Sequence, residues 1–473
     1  MTVKIQSIMR VKFRFYHRRE GRCTMQKRRN KLNIGGQWPL LALLMILMVG
    51  IIPKANAIPA FSRQVNMPCT SCHVGGYGPQ LTPFGRQFKL TGYTMKSGSS
   101  GVTPKVSLEL VESFTHTQKD QAGGAAPGFG SNNNWEFQTA GVYLAGAISD
   151  HLGMLMQVSY SENGHRVEWD MTDIRYARQA KFGSHSAVWG ITLNNNPTIS
   201  DLYNTGAAWQ YPYFGPDLAP GSVATPIVNG GLMNGVLGLT AYTQIDGKLY
   251  FEGGLYKFPS KSFIDHVNGM YPGRLDIPAP YLRAAYQASL GSASNLEVGA
   301  LFFEPRLIPM SSMGMSTQSD NYKDYGVDAS YEWFGGTKHA ITVQGQYVHE
   351  KQTLNNSFAV GASSNLHNRL NSFNINANYW YESTYGATLG AFTTNGSRDA
   401  MLYSAASSND SPNTSGGSME LNWVPFGKGN SWAQPYANLR VGLQYTFYTK
   451  FNGTSSHASD NNTLYLYFQT YLF

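Results

Sequence analysis

From about residue 105 onward, apolar and polar residues alternate with a period of two. Tyr325-Gly-Val-Asp-Ala-Ser-Tyr-Glu-Trp333, Ile341-Thr-Val-Gln-Gly-Gln-Tyr347, Phe373-Asn-Ile-Asn-Ala-Asn-Tyr379 and Leu439-Arg-Val-Gly-Leu-Gln-Tyr-Thr-Phe447 are clear examples. In a strand, successive side chains point to opposite faces, so each run has one apolar and one polar face. The pattern predicts about sixteen strands, near 105–116, 134–149, 152–161, 165–179, 184–193, 235–245, 247–258, 280–290, 294–305, 321–334, 338–351, 367–382, 385–395, 416–425, 435–450 and 462–473.

A soluble sandwich would alternate in the same way, and two features favour a membrane barrel instead. Connections after most odd strands are long (117–133, 194–234, 259–279, 306–320, 352–366, 396–415), whereas those after even strands are mostly tight, such as Asp246-Gly247, Gly291-Ser-Ala-Ser294 and Ser383-Thr384. Short periplasmic turns alternating with long external loops belong to outer-membrane barrels. The last strand, Thr463-Leu-Tyr-Leu-Tyr-Phe-Gln-Thr-Tyr-Leu-Phe473, is aromatic. It can pair with the first strand and remove the sheet edges that lipid cannot solvate. The expected class is therefore all-β: a transmembrane antiparallel barrel spanning 105–473, with both barrel ends in the periplasm.

Composition agrees once the first residues are set aside. Lys27, Arg28, Arg29 and Lys31 precede an apolar stretch from Trp38 to Ile52, and Ala55-Asn56-Ala57 follows as a small-x-small site. That order reads as a secretory signal peptide cleaved after Ala57. Residues 1–24 read as a mis-assigned start, with Met25 as the alternative to Met1, or as a transit peptide. The formal charge of +8 comes from this region: residues 1–57 hold 12 of the 36 Lys/Arg and one of the 28 Asp/Glu. The remaining chain is slightly acidic and lacks the basic face that nucleic acid requires. The 50 Gly and 29 Tyr of the full chain suit a barrel with one wet and one lipid-facing side.

Of the three cysteines, Cys23 lies in the presequence, which leaves Cys69 and Cys72. Both stand in Cys69-Thr70-Ser71-Cys72-His73, a c-type haem attachment motif. Two thiols add to the vinyl groups as thioethers, and the following His is the proximal iron ligand. A zinc site would need further ligands nearby, and a redox dithiol would normally sit in a βαβ context. Residues 58–104 form the expected monohaem segment. It is too short to enclose a haem in its own core, so it is expected to plug or dock on the periplasmic mouth of the lumen. Thr82-Pro83 reads as the start of a short helix and Gly92 as its stop. Phe84, Phe88 and Leu90 are expected to pack on the haem ring. Arg63, Arg86 and Lys89 are candidates for propionate contacts, with solvated charges or lumen contacts as the equal alternative. Met95 is a candidate sixth ligand, beside Met67, His116 or a lumen-facing His.

Ile58-Pro-Ala-Phe-Ser-Arg-Gln-Val-Asn-Met-Pro-Cys-Thr-Ser-Cys-His73 and Gly78-Pro-Gln-Leu-Thr-Pro-Phe-Gly-Arg-Gln-Phe-Lys-Leu-Thr-Gly-Tyr93 resemble the outer-membrane fused cytochrome–porins of iron-oxidising bacteria. Asn194-Asn-Asn-Pro-Thr198 and Asp201-Leu-Tyr-Asn-Thr205 resemble the porin part of that family. The resemblance implies a single polypeptide holding one covalent haem c at Cys69, Cys72 and His73. It would take electrons from Fe(II) outside the cell, releasing Fe(III), and pass them to a periplasmic cytochrome c or copper protein. No iron-oxidation site carries over.

Two other readings stand beside this one: a diffusion porin in which haem is a plug, and an electron conduit for a different extracellular donor. Asp328 and Glu332 are expected on the lumen wall, either holding a hard cation briefly or lining a wet channel. Met310, Met313 and Met315 fall in an external loop, where thioethers would suit Cu(I) or be incidental.

Overall fold

A computed structural model describes residues 59–98, 104–269, 271–336 and 338–472. The presequence with its cleavage site, Ile58, the linker at 99–103 and Phe473 lie outside the described residues. Sixteen long strands follow one another around a single sheet: β1 (Lys105–Thr117), β2 (Asn134–Ala147), β3 (Leu152–Ser161), β4 (Arg166–Phe182), β5 (His185–Asn194), β6 (Leu237–Ile245), β7 (Leu249–Lys257), β8 (Ala279–Ser289), β9 (Ser294–Phe303), β10 (Asp320–Gly335), β11 (His339–Thr353), β12 (His367–Tyr381), β13 (Tyr385–Gly396), β14 (Thr414–Trp423), β15 (Ala437–Lys450) and β16 (Thr463–Leu472). Every neighbouring pair is antiparallel, and β16 returns to β1 from Leu108↔Leu472 to Thr117↔Thr463. The sheet is thus a closed barrel with no free edge.

Alternation decides which face each residue takes. On β12, Asn374, Asn376 and Asn378 face the lumen, while Phe373, Ile375 and Tyr379 face outward. Leu389, Leu421, Leu239, Leu282 and Val327 are more than half exposed, as a lipid-facing band requires. Tyr381, Tyr385 and Trp423 ring its tight-turn end, and Trp135, Tyr325 and Tyr347 its long-loop end.

Two short strands, Gly273–Leu275 and Arg306–Pro309, pair with each other beyond the barrel. They extend the wall from loops in which no regular structure was expected. The larger departure is the connection 195–236, which does not project outward but folds back into the lumen. There Gln210 meets Gln346 and Asn374, Gln138 donates to the Gly215 carbonyl (2.8 Å), and the Val228 amide donates to Asp324 (2.8 Å). Its apolar residues Val228 and Leu232 pack on Tyr256, Tyr281 and Phe303 of the wall.

Residues 59–98 occupy the tight-turn end of the same lumen. Helix α1 (Pro59–Val65) meets the start of β1 through Ala60 N to Ser107 Oγ (3.2 Å), and the end of β2 through Ala147 N to Gln64 Oε1 (2.8 Å). Tyr77 donates to the Gln469 carbonyl (2.8 Å), Asn438 donates to the Gly76 carbonyl (2.9 Å) and Gln80 donates to Gln344 (2.9 Å). The segment is therefore anchored on β1, β2, β11, β15 and β16 by neutral hydrogen bonds worth about 1 kcal/mol each.

Candidate functional site

Cys69–Ser71 form one turn of 3₁₀-helix after Pro68. The amides of Cys72 (3.1 Å) and His73 (2.9 Å) both donate to the Cys69 carbonyl. The turn brings the Cys69 and Cys72 thiols close to each other, and His73 follows in extended backbone with φ −115° and ψ 135°. The turn is clasped from behind by a second stretch. Thr82 N donates to the Cys72 carbonyl (2.9 Å), Thr82 Oγ1 donates to the Ser71 carbonyl (2.5 Å), and Val74 N donates to the Gln80 carbonyl (2.9 Å). Thr82 also caps helix α2 (Pro83–Leu90) by accepting from the Gly85 amide, and Gly92 ends it with φ +74°, as the sequence pattern predicts.

Barrel groups hold the turn from the other side. Gln434 Oε1 accepts from the Cys69 amide (3.0 Å). Val74 and Tyr77 pack with Trp380 and Val424, with Phe334 and Tyr471 at the margin. Gly75 has φ +72°, and a side chain there would overlap the Trp380 ring, so only glycine meets both conditions.

Both thiols are free. Burial pushes the Cys72 thiol up to about 12, with nearby Cys69 adding to the effect, and burial raises Cys69 as well. Reactive dithiols have lowered values, so this pair is poorly suited to disulfide exchange. Burial also pushes the His73 imidazole down to about 4, against a smaller opposing effect of the Gly78 backbone. Its Nδ1 is shielded from solvent and has no hydrogen-bond partner. Two free thiols, followed directly in the chain by an imidazole whose Nδ1 has no partner, are the donor types that a covalent haem needs. Among the described residues no group of three or more His, Cys, Asp or Glu side chains stands in a metal-holding arrangement.

The other candidates are dispersed. Arg86 forms a buried ion pair with Glu332, and Lys89 donates to the carbonyls of Ile199 (2.8 Å) and Asp201 (2.6 Å) and to Asn204 Oδ1 (2.7 Å). Lumen contact, rather than free charge, describes both. Arg63 donates to the Val106 carbonyl (2.8 Å), while its Nε has no partner. Phe88 packs on Phe61 (4.9 Å between ring centroids) and Tyr93 (5.9 Å), but Leu90 joins Leu202 of the inward loop and Tyr242 of β6 instead. Two positions along a helix turn a side chain to nearly the opposite face, so Phe88 and Leu90 do not share one surface as expected. Met95 sits against the Phe61, Phe88 and Tyr93 group, and Met67 is 36% exposed. His116 bonds Asn133 at the long-loop end, about 30 Å along β1 from Ser107, which touches α1.

Asp328 and Glu332 do line the lumen, but as ion-pair partners: Asp328 accepts both terminal nitrogens of Arg283 (2.7 and 2.8 Å), and Glu332 takes Arg86. The inward loop was not foreseen as part of the site. Yet the two motif stretches meet there, through Lys89 and through Asn204 Nδ2 donating to the Pro79 carbonyl (2.6 Å).

No protein-family model matches the chain, and no curated protein does. Among solved structures, OmpF of Salmonella typhi in complex with daunomycin aligns over 80% of this chain and 100% of its own, at 11% identity and a TM-score of 0.46. An anion-selective porin from Comamonas acidovorans aligns over 78% and 99%, at 10% identity and 0.45. The outer-membrane channel DcaP of Acinetobacter baumannii aligns over 80% and 100%, at 11% identity and 0.44. The likeness is to the porin-like barrel fold alone, which the strand pairing already establishes.

Proposed function

We propose that the chain is an outer-membrane c-type cytochrome built into a barrel, taking electrons from extracellular Fe(II) and delivering them to a soluble periplasmic cytochrome or copper protein. The observation that carries the reading is the buried turn at 69–73, with two free thiols followed directly by a neutral imidazole whose Nδ1 has no partner. A haem held there supplies a one-electron site. Cys69 and Cys72 would hold it as thioethers, and His73 would offer a nitrogen to its iron. Trp380, Tyr77 and Val424 form an apolar wall that raises the cost of changing charge at the site. In the orientation that loop parity implies, the turn faces the periplasm, on the side of a soluble acceptor.

Fe(II) as donor rests on the family resemblance. A single redox centre also favours a small diffusible donor over a solid one. The test is anaerobic stopped-flow mixing of purified, oxidised protein with Fe(II), following the reduced α-band. Rapid reduction, absent in His73→Ala, supports the reading. A covalent haem reduced by dithionite but not by Fe(II) overturns iron as donor. A chain with no haem after expression alongside a c-type maturation system overturns the cytochrome altogether.

The diffusion-porin reading is favoured by the barrel architecture itself. Against it, both the inward loop and residues 59–98 lie in the lumen. Conductance in planar bilayers separates the two: large, stable open steps in the wild-type protein would favour a porin.

A further inference from the structure

Three basic residues stand side by side on the outward face of the barrel, near its long-loop end. Lys323 on β10 lies directly opposite Lys351 on β11, and Lys351 directly opposite Arg369 on β12. Adjacent strands are about 4.8 Å apart, so the three positions fall within about 10 Å. Like charges directly opposite one another in a sheet are destabilising. Other cations at this end of the barrel are matched by carboxylates, as in Lys119–Asp460, Arg166–Glu168 and Lys261–Asp265. This row is not. Lys351 and Arg369 are exposed, and neither has an ion-pair partner among the described residues. Lys351 lies over the Tyr325 ring at 5.7 Å. Lys323 reaches only Glu304 (3.4 Å), a carboxylate that it shares with Arg306 (3.4 Å).

The neighbouring rows give the depth of these cations in the membrane. One step toward the tight turns, the outward row is Tyr325, His349 and Asn371; one step further it is Val327, Tyr347 and Phe373. Tyr347 donates to Asn371 Oδ1 (2.9 Å), and its ring stands with Tyr325 in the aromatic ring that edges the lipid-facing band. The face thus runs from apolar, through aromatic and amide, to cationic. Lys323, Lys351 and Arg369 lie just outside the hydrocarbon, at the level of lipid headgroups, on the side that loop parity makes external.

An occupant that fits has an apolar anchor and carries its negative charge at that level. Phosphate is the group that Lys and Arg bind best, through charge-assisted hydrogen bonds, and the guanidinium fork of Arg matches its oxygens two at a time. The outer leaflet of a bacterial outer membrane is largely glycolipid, whose sugar headgroup bears phosphates directly above its acyl chains. We infer that the outward face of β10–β12 is a binding site for the phosphorylated headgroup of such a glycolipid. Lys351 and Arg369 take the phosphate, Lys323 lies at the margin, and the acyl chains run down Val327 and Phe373.

The site is independent of haem and is tested on the full-length protein in detergent. Diphosphoryl lipid A is added, and the lipid retained is measured by native mass spectrometry. The expected result is retention by wild type and an affinity lowered about tenfold or more in Lys351→Ser/Arg369→Ser, with heat-modified gel mobility unchanged. Arg369→Gln alone should fall between the two, and it keeps the test meaningful should the double variant fold poorly. Arg178→Ser/Lys181→Ser removes the same charge from exposed positions at the tight-turn end and should bind as wild type does. Equal weakening in the two double variants would overturn the site and leave a general attraction between cations and anionic lipid. Equal retention of lipid A stripped of its phosphates would overturn it in favour of acyl-chain contact alone. Inorganic phosphate bound as tightly as lipid A would overturn the glycolipid and leave a site for a free anion.

Discussion

Gly85 on helix α2 lies directly on the backbone carbonyl of Cys72, so close that a methyl group in its place would overlap that oxygen. The same carbonyl accepts from Thr82 N at 2.9 Å. The helix and the thiol-bearing turn are therefore seated on each other through one peptide group. Gly85→Ala should push them apart, at a cost of about 1–3 kcal/mol for overpacking. The expected outcome is several-fold less covalent haem per chain, measured as the ratio of haem absorbance to protein, with the barrel still folded. Full haem content in this variant would show that the turn does not depend on the helix for its position.

The Arg86–Glu332 pair joins that helix to β10, with side chains 8% and 9% exposed. Removing one partner strands the other charge in a dry site, which costs about 3–5 kcal/mol, far more than the intact pair contributes. Arg86→Met should expose residues 59–98 to limited proteolysis while β1–β16 stay resistant. Combining it with Glu332→Leu should restore much of the protection, because no unpaired charge remains. If the single variant is as resistant as wild type, the segment is held by its other contacts.

Lys89 supplies a pH dependence. Burial lowers its pKa from 10.5 to about 7, reinforced by Arg175 and opposed by Asp173, Asp201 and Glu252. Between those two values the unfolded chain binds a proton that the folded chain lacks, so stability rises with pH over that range. At pH 6 both states are protonated and the burial cost of the ammonium applies in full. Guanidinium unfolding should therefore show a higher midpoint at pH 9 than at pH 6.5. The difference should shrink in Lys89→Met, and an equal pH effect in that variant would place its origin elsewhere.

The strands were legible because burial on one face forces a period of two, which is visible in runs such as 373–379. Loop parity was legible because tight turns need few residues and particular ones, such as Asp246-Gly247. The turn at Cys69–His73 stood out in the sequence because thioether attachment and iron ligation would require that spacing. The course of 195–236 was not. A loop inside a wet lumen needs polar contacts made one at a time, such as Gln210 with Asn374 or Val228 N with Asp324, and these have no period to read. Arg86, Lys89, Asp328 and Glu332 were visible as charges, but their pairing depends on which strand stands opposite, a fact of closure rather than of local sequence.

Arg283 on β8 fixes the inward loop to the wall. Its guanidinium reaches Asp328 twice, Asp201 at 3.0 Å and Glu297 at 3.4 Å, and Thr205 Oγ1 accepts from it at 3.0 Å. Asp201 in turn accepts from the amides of Tyr203, Thr205 and Gly206, and so shapes the bend of the loop. One cation thus balances three buried carboxylates from two parts of the barrel. Arg283→Met would leave those carboxylates facing one another without a counter-charge, and the least costly relief is for the loop to withdraw Asp201 into water. The expected result is a higher single-channel conductance than wild type and a new protease-sensitive site within 195–236. Arg283→Lys keeps the charge but not the forked geometry, so it should fall between the two. Unchanged conductance with an uncut loop in Arg283→Met would mean that the loop is held by its other contacts to the wall and to residues 59–98.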